Sequence, residues 1–327
     1  MSPKSGIPKK SLMLFAGRAH HELADEVAKH LNVTITPQSA YDFANGEIFV
    51  RFEESVRGSD AFVIQSHCAP INQWVMEQLI MVDALKRASA KRITVIMPFY
   101  PYARQDKKHK GREPISARLI ADLFKTAGAD RIMTVDLHTA QIMGFFDGPV
   151  DHLLAQNLLA EHVAATYLDD QPITVVSPDA GRTKLAEKWA DQLGGAPIAF
   201  IHKTRDPLKP NEVVANRVVG EIKGRLCVVI DDMVDTGGTI AKAVGQLLEA
   251  GASDVVIAAT HGVLSGNAPQ RLAECGAREV IFTNTLPIED EKRFPGMTVL
   301  SIAPLLARAI QEVFEDGSVT SLFNGNA

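Results

Sequence analysis

Residues 228–239 read VVIDDMVDTGGT: an apolar run ends in Asp231 and Asp232, Asp235 follows, and two glycines sit between Thr236 and Thr239. Glycines let a backbone come close to a ligand, and the free amides and dipole of a following helix favour an anion. Carboxylates accept hydrogen bonds from hydroxyl groups. The segment is therefore expected to hold a phosphate on Thr236, Gly237, Gly238 and Thr239, and sugar hydroxyls on Asp231, Asp232 and Asp235. The plain alternative is an N-capped helix after an ordinary strand, which needs one polar side chain rather than three carboxylates and a glycine pair.

Such a segment needs a sheet behind it. Apolar runs bounded by turn residues recur at 12–15, 62–64, 93–97, 132–135, 173–176, 226–230 and 255–259, and amphipathic stretches lie between most of them. In residues 74–88, Val75, Leu79, Val82 and Leu85 fall at helical spacing. Strands alternating with helices predict an α/β fold with mostly parallel sheets flanked by helices. In such sheets ligands bind beyond the carboxyl ends of the strands. Polar residues gather there: Asp136 and His138 after Val135, Ser177 and Asp179 after Val176, His202 and Lys203 after Ile201.

The chain also echoes itself. AGR followed by ELADEVAKHL, from Ala16, returns as AGRTKLAEKWADQL from Ala180; AGADRIMTVDL near Ala127 returns as CGAREVIFTNTL near Cys275. Two related α/β domains are predicted, over 10–155 and 156–322. Residues 203–212, KTRDPLKPNE, combine two prolines with charges and no apolar period, and predict an exposed loop.

Bulk properties narrow the class. A chain of 327 residues exceeds one ordinary core, and 46% hydrophobic with 22% charged residues is globular. The formal charge of −5 argues against nucleic acid as the main partner, including for the basic run KKHKGR at 107–112. Cys68, Cys227 and Cys275 are odd in number and far apart, which argues against a disulfide framework or a zinc knuckle. No apolar stretch reaches bilayer length and the first residues lack a signal-peptide core, so the expected compartment is the cytoplasm.

The segment 228–239 resembles the phosphoribosyl-pyrophosphate motif shared by type I phosphoribosyltransferases and ribose-phosphate pyrophosphokinases. Other segments resemble the class I pyrophosphokinases alone: FANGEIFVRFEESVRG from Phe43, PFYPYARQDKKHKGREPIS from Pro98, VDLHTAQIMGFFDGPVDH from Val135, SPDAGR from Ser177, IHKTR from Ile201 and ATHGVLSG from Ala259. The resemblance spans residues 12–322. It implies two phosphoribosyltransferase-like domains related by a pseudo-twofold axis, and transfer of the pyrophosphoryl group of ATP to the anomeric hydroxyl of ribose 5-phosphate. The partners it implies are those two substrates, Mg2+ and further copies of the chain in a homohexamer.

Several roles follow from the resemblance residue by residue. Arg104, Gln105 and Asp106 line the ATP site, and a neighbouring subunit adds Phe43, Asn45, Gly46 and Glu47. Asn45 stands where the family usually has aspartate. His138 and Asp179 match the metal positions. Lys203 and Arg205 lie on the catalytic flap, with Arg205 also reaching the sugar phosphate. Ser55, Arg57, Lys110 and Arg112 match a regulatory site for phosphate or ADP. Two competing readings remain: a phosphoribosyltransferase, which the ARQD and DLH segments oppose, and a non-catalytic regulatory homologue, which the intact Lys203, Arg205 and His138 oppose.

Overall fold

The structure, a computed structural model, describes residues 10–178, 183–205 and 213–323. The chain divides into two compact units.

The first unit begins β1 (Leu12–Ala16), α1 (His21–Leu31), β2 (Gln38–Asp42), β3 (Ile48–Phe52), β4 (Asp60–Ile64), α2 (Ile71–Arg87) and β5 (Arg92–Met97). It continues through α3 (Ser116–Ala127), β6 (Arg131–Val135), a 3-10 turn over Ala140–Phe145 and β7 (Val150–Leu153). Five strands form a parallel sheet in the order β1-β4-β5-β6-β7, while β2 and β3 form a separate antiparallel hairpin. Every residue of β4 is buried, as expected of a parallel strand covered on both faces. Val63, Val95 and Ile132 of the sheet share a core with Met81, Val82 and Leu85 of α2 and Ile120 and Phe124 of α3.

The second unit contains α4 (Gln156–Tyr167), β8 (Ile173–Ser177), α5 (Thr183–Gln192), β9 (Ile198–Arg205), β10 (Val213–Val219) and β11 (Leu226–Val234). It goes on with α6 (Gly238–Glu249), β12 (Asp254–Gly262), α7 (Ala268–Ala273), β13 (Glu279–Thr283) and β14 (Met297–Leu300). Its seven strands run in the order β10-β9-β8-β11-β12-β13-β14, all parallel except the β9/β10 pair. The α/β class read from the sequence is the class found. In both sheets the strand of the second sequence echo, β6 and β13, is followed by the edge strand.

Two boundaries differ from the sequence reading. Residues 302–323, expected with the second domain, belong to the first unit. There α8 (Ala303–Phe314) buries Leu306, Ala307 and Ile310 and packs on α1, whose inward face is Leu23, Ala24 and Val27. Just beyond α8, Asp316 pairs with Lys10 at 2.8 Å and with Arg92 at 2.7 Å. Of the predicted loop 203–212, residues 206–212 lie outside the described residues. Its first three residues continue β9 in an antiparallel ladder, with Lys203 opposite Asn216 and Arg205 opposite Val213. Ladder hydrogen bonds from a partner strand stabilise extended backbone whatever the polarity of the residues, which a hydrophobic-period search does not detect.

Candidate active site

In the second unit, β11 pairs with β8 from Leu226 to Val229, but its pairing with β12 continues to Val234 opposite Gly262. The strand therefore projects beyond β8, and Asp231 and Asp232 lie on the projection. Successive strand residues face opposite sides of a sheet. Asp231 is half-buried whereas Asp232 is only 5% exposed, and the Asp232 amide donates to Asp231 Oδ1 at 2.9 Å. The two carboxylates read together in the sequence thus occupy different environments.

The turn that follows is braced from the next βα connection. Val263 and Leu264 amides donate to the Val234 carbonyl at 3.0 and 3.1 Å, the Ser265 amide donates to the Asp235 carbonyl at 2.9 Å, and the Arg271 guanidinium donates to the Thr236 carbonyl. Gly237 then takes φ 70° and ψ −7°, a left-handed conformation that strains any residue with a Cβ, and α6 starts at Gly238. The first amides of a helix have no carbonyl partner within it. Thr236 and Thr239 are exposed beside them and Asp235 is half-buried. Carboxylates, hydroxyls and helix-start amides thus meet in one turn, an arrangement suited to a phosphorylated polyol. Arg271 had no motif to announce it.

In the first unit, two loops beyond the sheet are joined by a buried carboxylate. Arg104 and Gln105 are exposed on the loop after β5, while Asp106 is 5% exposed. Asp106 Oδ2 accepts from Thr139 Oγ1 and from Gln141 Nε2, both at 2.7 Å, which fixes the loop after β6. On the other side of His138, the Leu137 amide donates to His152 Nε2 at 2.9 Å, and the Asp136 amide donates to the Leu153 carbonyl of β7 at 2.9 Å. His138, half-buried, is held between these two anchors. The sequence reading placed Asp106 beside the nucleotide; its side chain is engaged in joining the Arg104 loop to the His138 loop.

Further bonds shape the Arg104 loop. Ser116 Oγ donates to Gln105 Oε1 at 2.6 Å, the Ala117 amide to the Gln105 carbonyl at 3.2 Å, and Tyr100 Oη to the Ala117 carbonyl at 2.8 Å. Beneath it, His67 Nδ1 lies 3.3 Å from the Phe99 carbonyl. A carbonyl only accepts, so Nδ1 carries the proton. Burial pushes the His67 pKa down to about 4, so the ring is neutral at neutral pH. The sequence offered no sign of His67 beyond its place after a strand.

The hairpin of β2 and β3 carries Phe43, Asn45, Gly46 and Glu47 at its tip. The Phe43 amide donates to the Glu47 carbonyl at 2.7 Å and the Gly46 amide, at φ 88°, to the Phe43 carbonyl at 2.8 Å. Asn45 Oδ1 accepts from the Glu47 amide at 3.1 Å, so this side-chain oxygen shapes the tip. The Phe43 ring is 45% exposed and meets Tyr41 edge-on at 5.4 Å, which leaves an aromatic surface facing solvent.

Ser55 and Arg57 are exposed after β3, and Lys110 and Arg112 are exposed on a turn whose centre is Glu113. The Lys110 and His109 amides, at 3.0 and 2.8 Å, hold the Glu113 carboxyl below its ordinary range. Among the described residues, no hydrogen bond or ion pair joins the Ser55 and Lys110 segments. Lys203 and Arg205 are strand positions on β9, and Asp179 lies outside the described residues. Among the described residues no three His, Cys, Asp or Glu side chains gather closely enough to hold a metal ion. No helix among them is long and apolar enough to cross a membrane.

A chain with two α/β units, a carboxylate and glycine turn on one sheet and paired loops on the other, has close relatives. Residues 12–128 match the N-terminal domain of ribose phosphate pyrophosphokinase, and residues 199–324 match the phosphoribosyl synthetase-associated domain. The ribose-phosphate pyrophosphokinase of Mycobacterium tuberculosis (strain ATCC 25618 / H37Rv) is 72% identical over 319 residues, 98% of each chain. The Streptomyces coelicolor protein of the same name is 64% identical over 316 residues, 97% of each. The crystal structure of phosphoribosylpyrophosphate synthetase from Mycobacterium smegmatis superposes with a TM-score of 0.90 at 71% identity, covering 94% of this chain and 100% of that one. The chain belongs to the ribose-phosphate pyrophosphokinase family.

Proposed function

We propose that the protein transfers the pyrophosphoryl group of ATP to the anomeric hydroxyl of ribose 5-phosphate, forming phosphoribosyl pyrophosphate and AMP for nucleotide biosynthesis. The oxygen of the anomeric hydroxyl attacks the β-phosphorus and loses its proton to solvent, a new P–O bond forms there, and the bond from that phosphorus to the oxygen bridging to the α-phosphate breaks as AMP leaves. The observation that carries this reading is the turn after β11, where Gly237 at φ 70° opens α6 directly behind Asp231, Asp232 and Asp235. It supports seating the 5-phosphate on the amides and hydroxyls of residues 236–239 and the ribose hydroxyls near Asp231 and Asp235. Arg104 and Gln105, exposed on a loop tied down by Asp106, are placed with ATP in this reading, and Phe43 and Glu47 approach it from a neighbouring copy in a hexamer.

Mg2+ fits the donor set. It binds through one or two carboxylates, substrate phosphates and waters rather than an all-protein cage, and Asp231 is a half-buried carboxylate at a strand end. His138 and Asp179 are the metal positions that the family resemblance suggests. When bound, Mg2+ neutralises phosphate charge and aligns the reacting oxygens. Lys203 and Arg205 supply positive charge to the transferred group, and Ser55, Arg57, Lys110 and Arg112 take phosphate or ADP as regulators. The reaction takes place in the cytoplasm.

Product identification tests the proposal. With Mg2+, ATP and ribose 5-phosphate, AMP and phosphoribosyl pyrophosphate form in equal amounts. Accumulation of ADP in their place means that a single phosphoryl group is transferred, and the proposal is wrong.

A further inference from the structure

Glu77 of α2 is a fully buried carboxylate within the first unit. A buried charge is tolerated when paired and hydrogen-bonded, and Glu77 has three donors. The Arg18 amide reaches Oε1 at 2.7 Å, Gln65 Nε2 reaches Oε1 at 2.9 Å, and Arg18 Nε reaches Oε2 at 2.5 Å. Gln65 in turn accepts from the Ala19 amide at 3.1 Å. The chain passes so close here that a Cβ at Gly17 would sit 2.3 Å from the Gln65 side chain. Residues 17–19 are thereby fastened to α2.

The far end of Arg18 leaves this buried anchor. Its NH2 group donates to Asp42 Oδ1 at 2.6 Å, and Gln73 Nε2 of α2 donates to Asp42 Oδ2 at 3.1 Å. Asp42 is the last residue of β2, next to Phe43. The opposite end of the hairpin is held by apolar packing, with Phe52 against Phe15 at 4.6 Å between ring centroids. Burial works against the Arg18 charge, but the hydrogen bonds and charges of Asp42 and Glu77 outweigh it and raise the guanidinium pKa. Only a planar guanidinium, with donors on several nitrogens, can span both carboxylates from this position.

We infer that Arg18 is a positioning residue: anchored on Glu77, it clamps Asp42 and so sets the orientation of the hairpin tip that presents Phe43 and Glu47 to the nucleotide. This rests on the proposed placement of the hairpin at the ATP site. The residues holding the tip are not the residues at the tip, and none of Arg18, Glu77, Gln73 and Asp42 belongs to the motifs that suggested the function.

The test has two readouts. Asp42→Ala cuts the clamp at its half-exposed end without disturbing Glu77, so the variant folds even where Arg18→Ala does not. Hydrogen exchange across residues 38–52 is expected to rise in Asp42→Ala and in Arg18→Lys, whose donors all sit on one nitrogen and cannot reach both carboxylates as the separate Nε and NH2 of Arg18 do. The KM for ATP is expected to rise about twofold to fivefold, the range of a partly exposed ion pair, while the KM for ribose 5-phosphate stays constant. Asp42→Asn keeps an acceptor oxygen for Arg18 and is expected to recover most of both effects. Unaltered exchange in both clamp variants overturns the clamp itself. Raised exchange with an unaltered KM for ATP keeps the clamp but overturns its role in nucleotide positioning, and with it the placement of the hairpin at the ATP site.

Discussion

Replacing Asp106 by alanine removes the bond between the two loops of the first unit. The carboxylate is 5% exposed and accepts two hydrogen bonds of 2.7 Å, from Thr139 and Gln141. A hydrogen bond to a charged group contributes about 1.5–3 kcal/mol, so two set a gross value of about 3–6 kcal/mol. Most of this is recovered by water, because Gln141 is exposed and Thr139 half-buried once their acceptor is gone. A net loss of about 2 kcal/mol is reasonable, and it falls on the geometry of the Arg104 and His138 loops rather than on the core. If the whole of it is felt in the transition state, kcat/KM for ATP drops about 30-fold, at about 1.4 kcal/mol per tenfold. Asp106→Asn retains one neutral acceptor and should lose about half as much in free energy. The assay is AMP formation with ATP and ribose 5-phosphate varied in turn, alongside circular dichroism to confirm folding. A folded Asp106→Ala enzyme with wild-type kcat/KM for ATP refutes the strut, as does an equal loss for both substrates that Asp106→Asn fails to moderate.

Three other outcomes are expected. His67, neutral in the fold with a pKa of about 4 against about 6.5 when unfolded, takes up its proton more readily in the unfolded chain between these values. Stability is therefore lost as pH falls from about 6.5 to about 4, by up to about 3 kcal/mol from this group, and His67→Leu flattens that part of the urea-unfolding profile; an unchanged slope contradicts it. Gly237→Ala meets no close atoms, its Cβ lying 3.5 Å from Leu272, but its φ of 70° costs about 1–2 kcal/mol. The KM for ribose 5-phosphate should rise several-fold, and an unaltered value would exclude this turn from the phosphate site. Lys203→Ala should lower kcat by about 10³-fold or more, by analogy with transition-state cations elsewhere; a retained kcat takes Lys203 out of the chemistry.

How far the sequence reached depends on the range over which each feature is encoded. Strand and helix periods are local, and the runs at 12–15, 93–97, 132–135 and 226–230 all fall within strands β1, β5, β6 and β11. The DDMVDTGGT turn was legible for the same reason: its carboxylates, glycines and helix start are adjacent in the chain. The sequence alone therefore determined the α/β class and the segments in which to look for chemistry. It did not separate Asp231 from Asp232, whose exposures differ because a strand turns neighbours to opposite faces and only the fold decides which face is covered. Tertiary structure alone decided that Asp106 meets Thr139, that Arg18 links Glu77 to Asp42, and that α8 returns to α1. Those pairings join residues distant in sequence, and nothing in the local period or composition around either partner specifies which buried charge or apolar face will come to rest against the other.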